Sequence, residues 1–287
     1  MDAEIYKFNI GPFECVALKD WVHTYDNPAT LLFFNAPKDH LIQALREYGI
    51  ELESWQGWAS PYTCLLIKTG SHKVLVDTGI GTTWAPDEGR LMGLLESLSI
   101  GPDEIDIVLI THAHGDHCGC NTDSEGGAAF PNARYIMWKN EWDFWISEET
   151  LAQPQHEWMS SVVDKNMRPL HERFELIEKD TEVVPGVDAI AASGHTPGHM
   201  VVRISSGEEQ LWYMSDAFIH PLHIEQPDWY AEVDVDPEQS VNTRYSLLKQ
   251  VATRQPLIHC FHFPFPGLGY IRESNNRYRW HYLTEEN

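Results

Sequence analysis

The stretch Ile110-Thr-His-Ala-His-Gly-Asp-His-Cys118 places His112, His114, Asp116 and His117 within nine residues. All four side chains can bind a divalent metal. The segment before them, Ile105-Asp-Ile-Val-Leu-Ile110, is short, apolar and β-branched, and predicts a buried strand. The histidines therefore fall where a strand gives way to a loop. On extended backbone, residues i and i+2 point the same way, so His112 and His114 can reach one ion together. Gly115 lets the chain turn, and Asp116 and His117 can then face a second, neighbouring point. Three imidazoles and one carboxylate suit zinc or a similar first-row metal. A polar surface loop is the bland alternative, and this spacing disfavours it.

The surrounding elements follow from periodicity and turn chemistry. Glu4 to Phe8 and Phe13 to Leu18 read as a hairpin about Gly11-Pro12. Asp20 to Ala36 reads as irregular and rich in aromatics. Pro37 to Gly49 is an amphipathic helix closed by glycine. Trp55 to Pro61 reads as a loop carrying two tryptophans, and Tyr62 to Lys68 with Lys73 to Val76 as a second hairpin. Helices are expected over Arg90 to Leu98, from Asn140 to Ser147, from Gln155 to Met167 and over Pro237 to Ala252. Strands are expected at Ala133 to Trp138, Phe174 to Ile177, Glu182 to Val184, Val187 to Ala191, Met200 to Ile204, Leu211 to Met214 and Leu257 to Cys260. Runs of strands with helices between them fit an α/β fold of two sheets covered by helices. No repeat, low-complexity tract or linker interrupts the 287 residues, which read as one domain.

The net charge is −23, from 43 acidic and 20 basic residues. Such a surface repels phosphates, so nucleic acid is not an expected partner, and an anionic membrane is not either. A small-molecule substrate is. The beginning Met1-Asp-Ala-Glu-Ile-Tyr-Lys-Phe lacks a basic, apolar leader pattern, and no run of 18 apolar residues exists. Five cysteines form no disulfide framework, which with the missing leader points to the cytoplasm. Cys118 and Cys120, beside the histidine run, are expected to pack rather than to bind metal.

His-x-His-x-Asp-His after an apolar strand resembles the signature of the metallo-β-lactamase superfamily. The other marks of that family stand in order: Asp77-Thr-Gly79 after the strand Lys73-Val-Leu-Val76, Gly194-His195-Thr-Pro-Gly-His199, Ser215-Asp216 after Leu211-Trp-Tyr-Met214, and His262 within Phe261-His-Phe-Pro-Phe-Pro-Gly267. The resemblance covers about Pro61 to Ile271 and implies a four-layer αββα sandwich with a metal site along one edge. It also implies two divalent ions, zinc first, with iron, manganese or cobalt compatible. His112, His114 and His195 would serve the first and Asp116, His117 and His262 the second, with Asp216 bridging. A hydroxide held between the two would be the nucleophile. Asp116 or a metal-bound water is the candidate to protonate the leaving group. His199 reads as structural, and Asp77 as a hydrogen-bond partner of a ligand histidine. His259 and His281 are rivals of His262. His220 and His223 are either pocket-lining or exposed.

Class B1 β-lactamases carry cysteine where this chain has Asp216, and flavodiiron proteins carry Glu where it has His114. Glyoxalase II has a basic tail, whereas this chain ends in Thr-Glu-Glu-Asn. The likeness is greatest to the methyl parathion hydrolase-like branch, through His262-Phe-Pro-Phe-Pro-Gly-Leu-Gly269 and Lys139-Asn-Glu-Trp-Asp-Phe-Trp145, with quorum-quenching lactonases as near relatives. A hydrolase of lactones, carboxylic esters or phosphotriesters is expected. A non-hydrolytic iron redox or sensor module on the same fold is the alternative. Trp84, Trp142, Trp145, Phe218 and Phe263 are candidates for an apolar wall. The aromatic segment 1–60, with Trp21, Tyr25, Phe33, Phe34, Trp55 and Trp58, is expected to close the pocket or to form a homodimer.

Overall fold

The computed structural model describes residues 3–82, 89–275 and 277–283. Among them, fourteen strands form two seven-stranded sheets. The first sheet runs in chain order: β1 (Ile5–Ile10), β2 (Phe13–Asp26), β3 (Gly57–Lys68), β4 (Lys73–Val76), β5 (Ile107–Leu109), β6 (Arg134–Trp138) and β7 (Phe174–Ile177). It is antiparallel up to β4 and parallel beyond. The second sheet holds β8 (Thr181–Val184), β9 (Val187–Ala191), β10 (Met200–Ser206), β11 (Glu209–Tyr213), β12 (Leu257–His259), β13 (Leu268–Ser274) and β14 (Arg277–Tyr282). Only β11 and β12 pair in parallel there.

The helices are α1 (Pro28–Leu32) and α2 (Lys38–Glu47) before β3, α3 (Leu91–Ser97) before β5, and α4 (Gly115–Cys118) after β5. Then come α5 (Lys139–Trp145), α6 (Glu148–Leu151) and α7 (Met159–Asn166) between β6 and β7, and α8 (Leu222–Glu225) and α9 (Pro237–Arg254) between β11 and β12. One sheet receives α3 and α5, the other α8 and α9. Between the sheets lies a continuous core to which Leu65, Val76, Leu109 and Ile136 contribute from one side and Val202, Leu211 and Tyr213 from the other. This is the αββα sandwich, with strands buried on both faces reading as unbroken apolar runs.

Two expectations need correction. Asp20 to Ala36 is not irregular throughout: β2 continues to Asp26 after a bulge between Lys19 and Trp21. Nor is Trp55 to Pro61 all loop, because β3 begins at Gly57 and Pro61 pairs with Val22. A bulge shifts the side-chain alternation by one residue and so hides a long strand from a period-two reading. The last hairpin, β13 with β14, follows the Phe-Pro-Phe-Pro turn and had no prediction.

His259, a rival ligand, is core. It pairs with Tyr213 across β11 and β12, and the rings stack at 5.0 Å and 8°. Burial pushes its imidazole down from 6.5 to about 3. Its folded pKa is therefore depressed, so the stability it supports is complete above the unfolded value and is lost as pH falls towards 3, where the unfolded chain takes up the proton first. His259→Phe keeps a ring against Tyr213, and we expect it to unfold at a lower pH than the parent in an acid titration followed by tryptophan fluorescence. An unchanged acid midpoint would contradict this. His281, the other rival, lies exposed on β14.

Candidate metal centre

The loops that leave β5, β9, β11 and β12 bring the seven expected residues together. Among the described residues, His112, His114, His195 and Asp216 form one group of possible ligands, and Asp116, His117 and His262 another; within each, the ligating atoms lie within 4.8 Å of one another. Asp216 stands at the junction. Its Oδ2 is 3.4 Å from His195 Nε2, 3.9 Å from His112 Nε2 and 3.1 Å from His262 Nε2, and its Oδ1 is 3.3 Å from His117 Nε2. His112 Nε2, His117 Nε2 and Asp216 Oδ1 are buried without a well-aligned hydrogen-bond partner. Buried polar atoms are ordinarily satisfied, so three orphans within the two ligand groups fit bound cations. The donor set, imidazole nitrogen with carboxylate oxygen, fits zinc and its neighbours.

Electrostatics agree with that fit. Burial alone would lower the pKa of His117, but Asp216, Asp116 and Asp77 outweigh it and hold it well above normal. Burial, then the neighbouring imidazoles, keep His112 and His114 well below normal. Burial works against the Asp216 carboxylate, yet His262 and His117 hold its pKa well below the usual range. The carboxylates thus draw positive charge to His117, the place a cation would take, while burial keeps His112 and His114 neutral, the form in which an imidazole ligates.

Four of the five imidazoles are gripped from behind. His117 Nδ1 is 2.8 Å from Asp77 Oδ2, as expected, His195 Nδ1 2.8 Å from Asp234 Oδ1, His262 Nδ1 2.8 Å from Ser60 Oγ, and His112 Nδ1 3.3 Å from Thr111 Oγ1. Each contact engages Nδ1 and leaves Nε2 towards the centre. His114 is the exception, presenting Nδ1 at 3.1 Å from His195 Nε2. His199 has both nitrogens engaged, Nδ1 donating to the Ala192 carbonyl at 3.0 Å and Nε2 accepting from the Asp216 amide at 3.2 Å, so it steadies Asp216. Cys118 donates its thiol to the Ala113 carbonyl at 3.2 Å and packs beneath the loop.

Asp234 and Ser60 lie in no motif, and Glu141 lies in the Lys139–Trp145 stretch without a role expected of it. Glu141 is fully buried on α5. One carboxylate oxygen accepts from the Ala113 amide at 2.9 Å, between His112 and His114, and from Trp145 Nε1 at 2.8 Å. The other accepts from Thr196 Oγ1 at 2.6 Å and the Gly198 amide at 2.9 Å. One carboxylate therefore ties the His112 loop to the His195 loop. The packing is close enough to require glycine: a Cβ on Gly198 would meet the Glu141 nitrogen at 2.2 Å, and Gly194, at φ +138°, would meet the Ser240 nitrogen at 2.3 Å.

Five of the seven, His114, Asp116, His195, Asp216 and His262, open onto a pocket of about 250 Å³. His112 and His117 lie beneath. The wall is formed by Tyr25, Leu31, Leu32, Trp58, Trp158 and Ile219, with Ala231 and Val233 completing the lining. Of the aromatic candidates for that wall, Trp142, Trp145, Phe218 and Phe263 are core residues instead, and Trp84 lies outside the described residues. Sequence proximity to the motifs misled here, because those side chains point into the sandwich. His220 and His223 are neither exposed nor in the wall. His223 donates from Nε2 to the Leu32 carbonyl at 2.7 Å and accepts at Nδ1 from the Ile219 amide at 3.3 Å, tying α1 to the segment after Asp216. The N-terminal segment thus supplies Tyr25, Leu31, Leu32 and Trp58 to the pocket, whereas Trp21 packs on the main core and Phe34 is exposed. Burial, followed by Asp116, pushes the Tyr25 phenol well up, so its hydroxyl stays protonated.

No helix among the described residues is long and apolar enough to cross a membrane. The chain is 26% identical over 222 residues to an N-acyl homoserine lactonase of Bacillus thuringiensis, covering 70% of this chain and 81% of that protein. Its fold is shared with AidC, a dizinc quorum-quenching lactonase solved with a product, at a TM-score of 0.86 and 24% identity over 99% of this chain and 98% of that one. It is shared also with the hydrolase AbOPH, at a TM-score of 0.88 and 24% identity over the whole of both chains. The family model of the metallo-beta-lactamase superfamily matches residues 57–260, a span that carries six of the seven clustered histidines and aspartates, with His262 just beyond it, and the chain belongs to that superfamily.

Proposed function

We propose that the protein is a metal-dependent hydrolase of ester-like bonds, with a lactone bearing an apolar acyl arm as its first substrate class and carboxylic esters and phosphotriesters after it. One observation carries this: two buried groups of ligating atoms, joined by Asp216, open onto an apolar pocket. The lactonase relatives and the dizinc neighbour support the choice of lactone and of zinc. His112, His114 and His195 would hold one cation and Asp116, His117 and His262 the other, with Asp216 reaching both. When bound, the cations would supply Lewis acidity, activating water and polarising the scissile group.

The chain's own residues do the rest. Leu31, Leu32, Trp58 and Ile219 exclude water and seat the apolar arm, while Trp158 and Val233, both partly exposed, stand where the pocket meets solvent. Asp77, Asp234 and Ser60 keep the imidazoles in one tautomer and orientation. Asp116, the most exposed of the seven at 7%, would take the proton released by the attacking water and hand it to the leaving oxygen. The test is a panel of lactones with short and long acyl arms, aryl esters and organophosphates on metal-reconstituted protein, with elemental analysis alongside. We expect two metals per chain and lactone opening that improves with an apolar arm. Two bound metals with no turnover in any of the three classes would overturn the reading, and tightly held iron without hydrolysis would favour a redox or sensor role.

A further inference from the structure

The pocket wall contains one hydroxyl among its described residues, that of Tyr25. Its ring is fixed on two sides. Tyr25 pairs with Trp58 across β2 and β3, stacks on that indole at 5.5 Å and 24°, and meets the edge of His23 at 4.5 Å. Its Oη lies 2.7 Å from Tyr62 Oη. Tyr62 is fully buried, stacked on Phe261 at 5.8 Å and edge-on to His262 at 5.5 Å.

The direction of this hydrogen bond follows from burial. Either oxygen can donate, but the two choices are unequal. If Tyr25 donated, the Tyr62 hydrogen would be left inside the protein, where an unmade hydrogen bond is costly. If Tyr62 donates, its hydrogen is satisfied and Tyr25 accepts with one lone pair. The Tyr25 hydrogen is then free, and Tyr25 borders the pocket beside Asp116 and His262. The other polar groups there differ: the clustered histidines and aspartates are ligand candidates, the Trp158 indole is committed to the Gln155 carbonyl at 3.0 Å, and Trp58, stacked on Tyr25, brings an indole N–H rather than a hydroxyl.

We propose that Tyr25 donates a hydrogen bond to an oxygen of the scissile ester group, and that Tyr62, by donating to Tyr25, sets the direction of that bond. Tyr25 is then a catalytic residue supplied by the N-terminal hairpin, and Tyr62 a positioning residue acting through it. This rests on the ester-hydrolase reading of the pocket. A hydrogen bond to an oxygen that gains negative charge strengthens as the reaction proceeds, so its loss falls on turnover more than on substrate capture.

The experiment uses metal-loaded full-length protein and three variants, Tyr25→Phe, Tyr62→Phe and the double variant, on the best lactone of the panel. Tyr25→Phe is expected to keep its metal content, to lose about 10- to 100-fold in kcat and to change KM by less than about threefold. Tyr62→Phe should lose less, and the double variant no more than Tyr25→Phe alone, because phenylalanine keeps the ring against His262 and removes only the hydroxyl that meets Tyr25. Calorimetric binding of the corresponding unreactive lactam should weaken only about 2- to 3-fold in Tyr25→Phe, in line with the small change in KM. A Tyr25→Phe variant with kcat and lactam affinity within about twofold of the parent would overturn the proposal, as would losses in the two single variants that multiply in the double. A parent protein inert on every ester sinks the underlying function and this proposal with it; an active parent with an indifferent Tyr25→Phe sinks the proposal alone.

Discussion

Asp216→Ala is expected to lose at least one of the two cations and to lower turnover by more than about 100-fold, beyond what removal of an outer partner of a metal ligand costs. The reason is position. Among the described residues, Asp216 is the carboxylate whose two oxygens face both groups of candidate ligands, Oδ1 towards His117 and Oδ2 towards His195 and His262. Without it, two sets of imidazoles confront each other with less negative charge between them. Elemental analysis after reconstitution reads the metal loss directly, whatever the substrate. His199→Ala is the control. His199 supports the Asp216 amide from behind and belongs to neither ligand group. That variant should be less stable, since two buried hydrogen bonds go, yet retain most of its metal. If His199→Ala shed metal while Asp216→Ala kept both ions, the ligand assignment would be wrong.

The difference between those two residues was legible in the sequence. Asp216 ends an apolar strand after Ser215, and His199 follows two glycines and a proline that shape a loop. Ligands of this kind are readable because they cluster in short motifs at strand ends, where geometry and spacing are linked. Their supports are not. Asp234 is 39 residues from His195 and sits in a stretch without periodicity. Ser60 is one of many serines, and Glu141 looks like an acid placed in a helix's first turn for its dipole. Each acts alone, from an ordinary position, and its partner is set by how the sheets stack. The pocket wall was misread for a related reason. Trp142, Phe218 and Phe263 lie near motifs in sequence but face the sandwich, while Tyr25 and Leu32 reach the pocket only because a bulged β2 carries the chain past the site.

Arg244→Met should cost about 3–5 kcal/mol of stability, the range for stripping one partner from a buried ion pair. In the sequence Arg244 is one more charge on a polar helix; in the fold it is completely buried on α9. Its guanidinium donates from Nε to the Ala217 carbonyl at 2.8 Å, from one terminal nitrogen to the Trp229 carbonyl, and from the other to Asp234 Oδ2 at 3.0 Å. Asp234 turns its remaining oxygen to His195 Nδ1 at 2.8 Å. Burial would raise the Asp234 pKa, but Arg244 and then His195 hold it well below the usual range. Methionine fills the aliphatic part of the space and leaves a buried carboxylate short of its cation, with two carbonyls unpaired. For a fold held by about 5–15 kcal/mol that is a large share. Urea denaturation at neutral pH measures it through the shift in midpoint at constant slope. The double variant with Asp234→Asn removes the stranded charge and should recover part of the loss, so the two substitutions are not additive. Because Asp234 also orients His195, metal affinity should fall in both variants by about 10- to 100-fold. An Arg244→Met protein within about 1 kcal/mol of its parent, with metal affinity unchanged, would mean that the chain from α9 through Asp234 to His195 does not support the site, since even one ordinary hydrogen bond contributes on that scale.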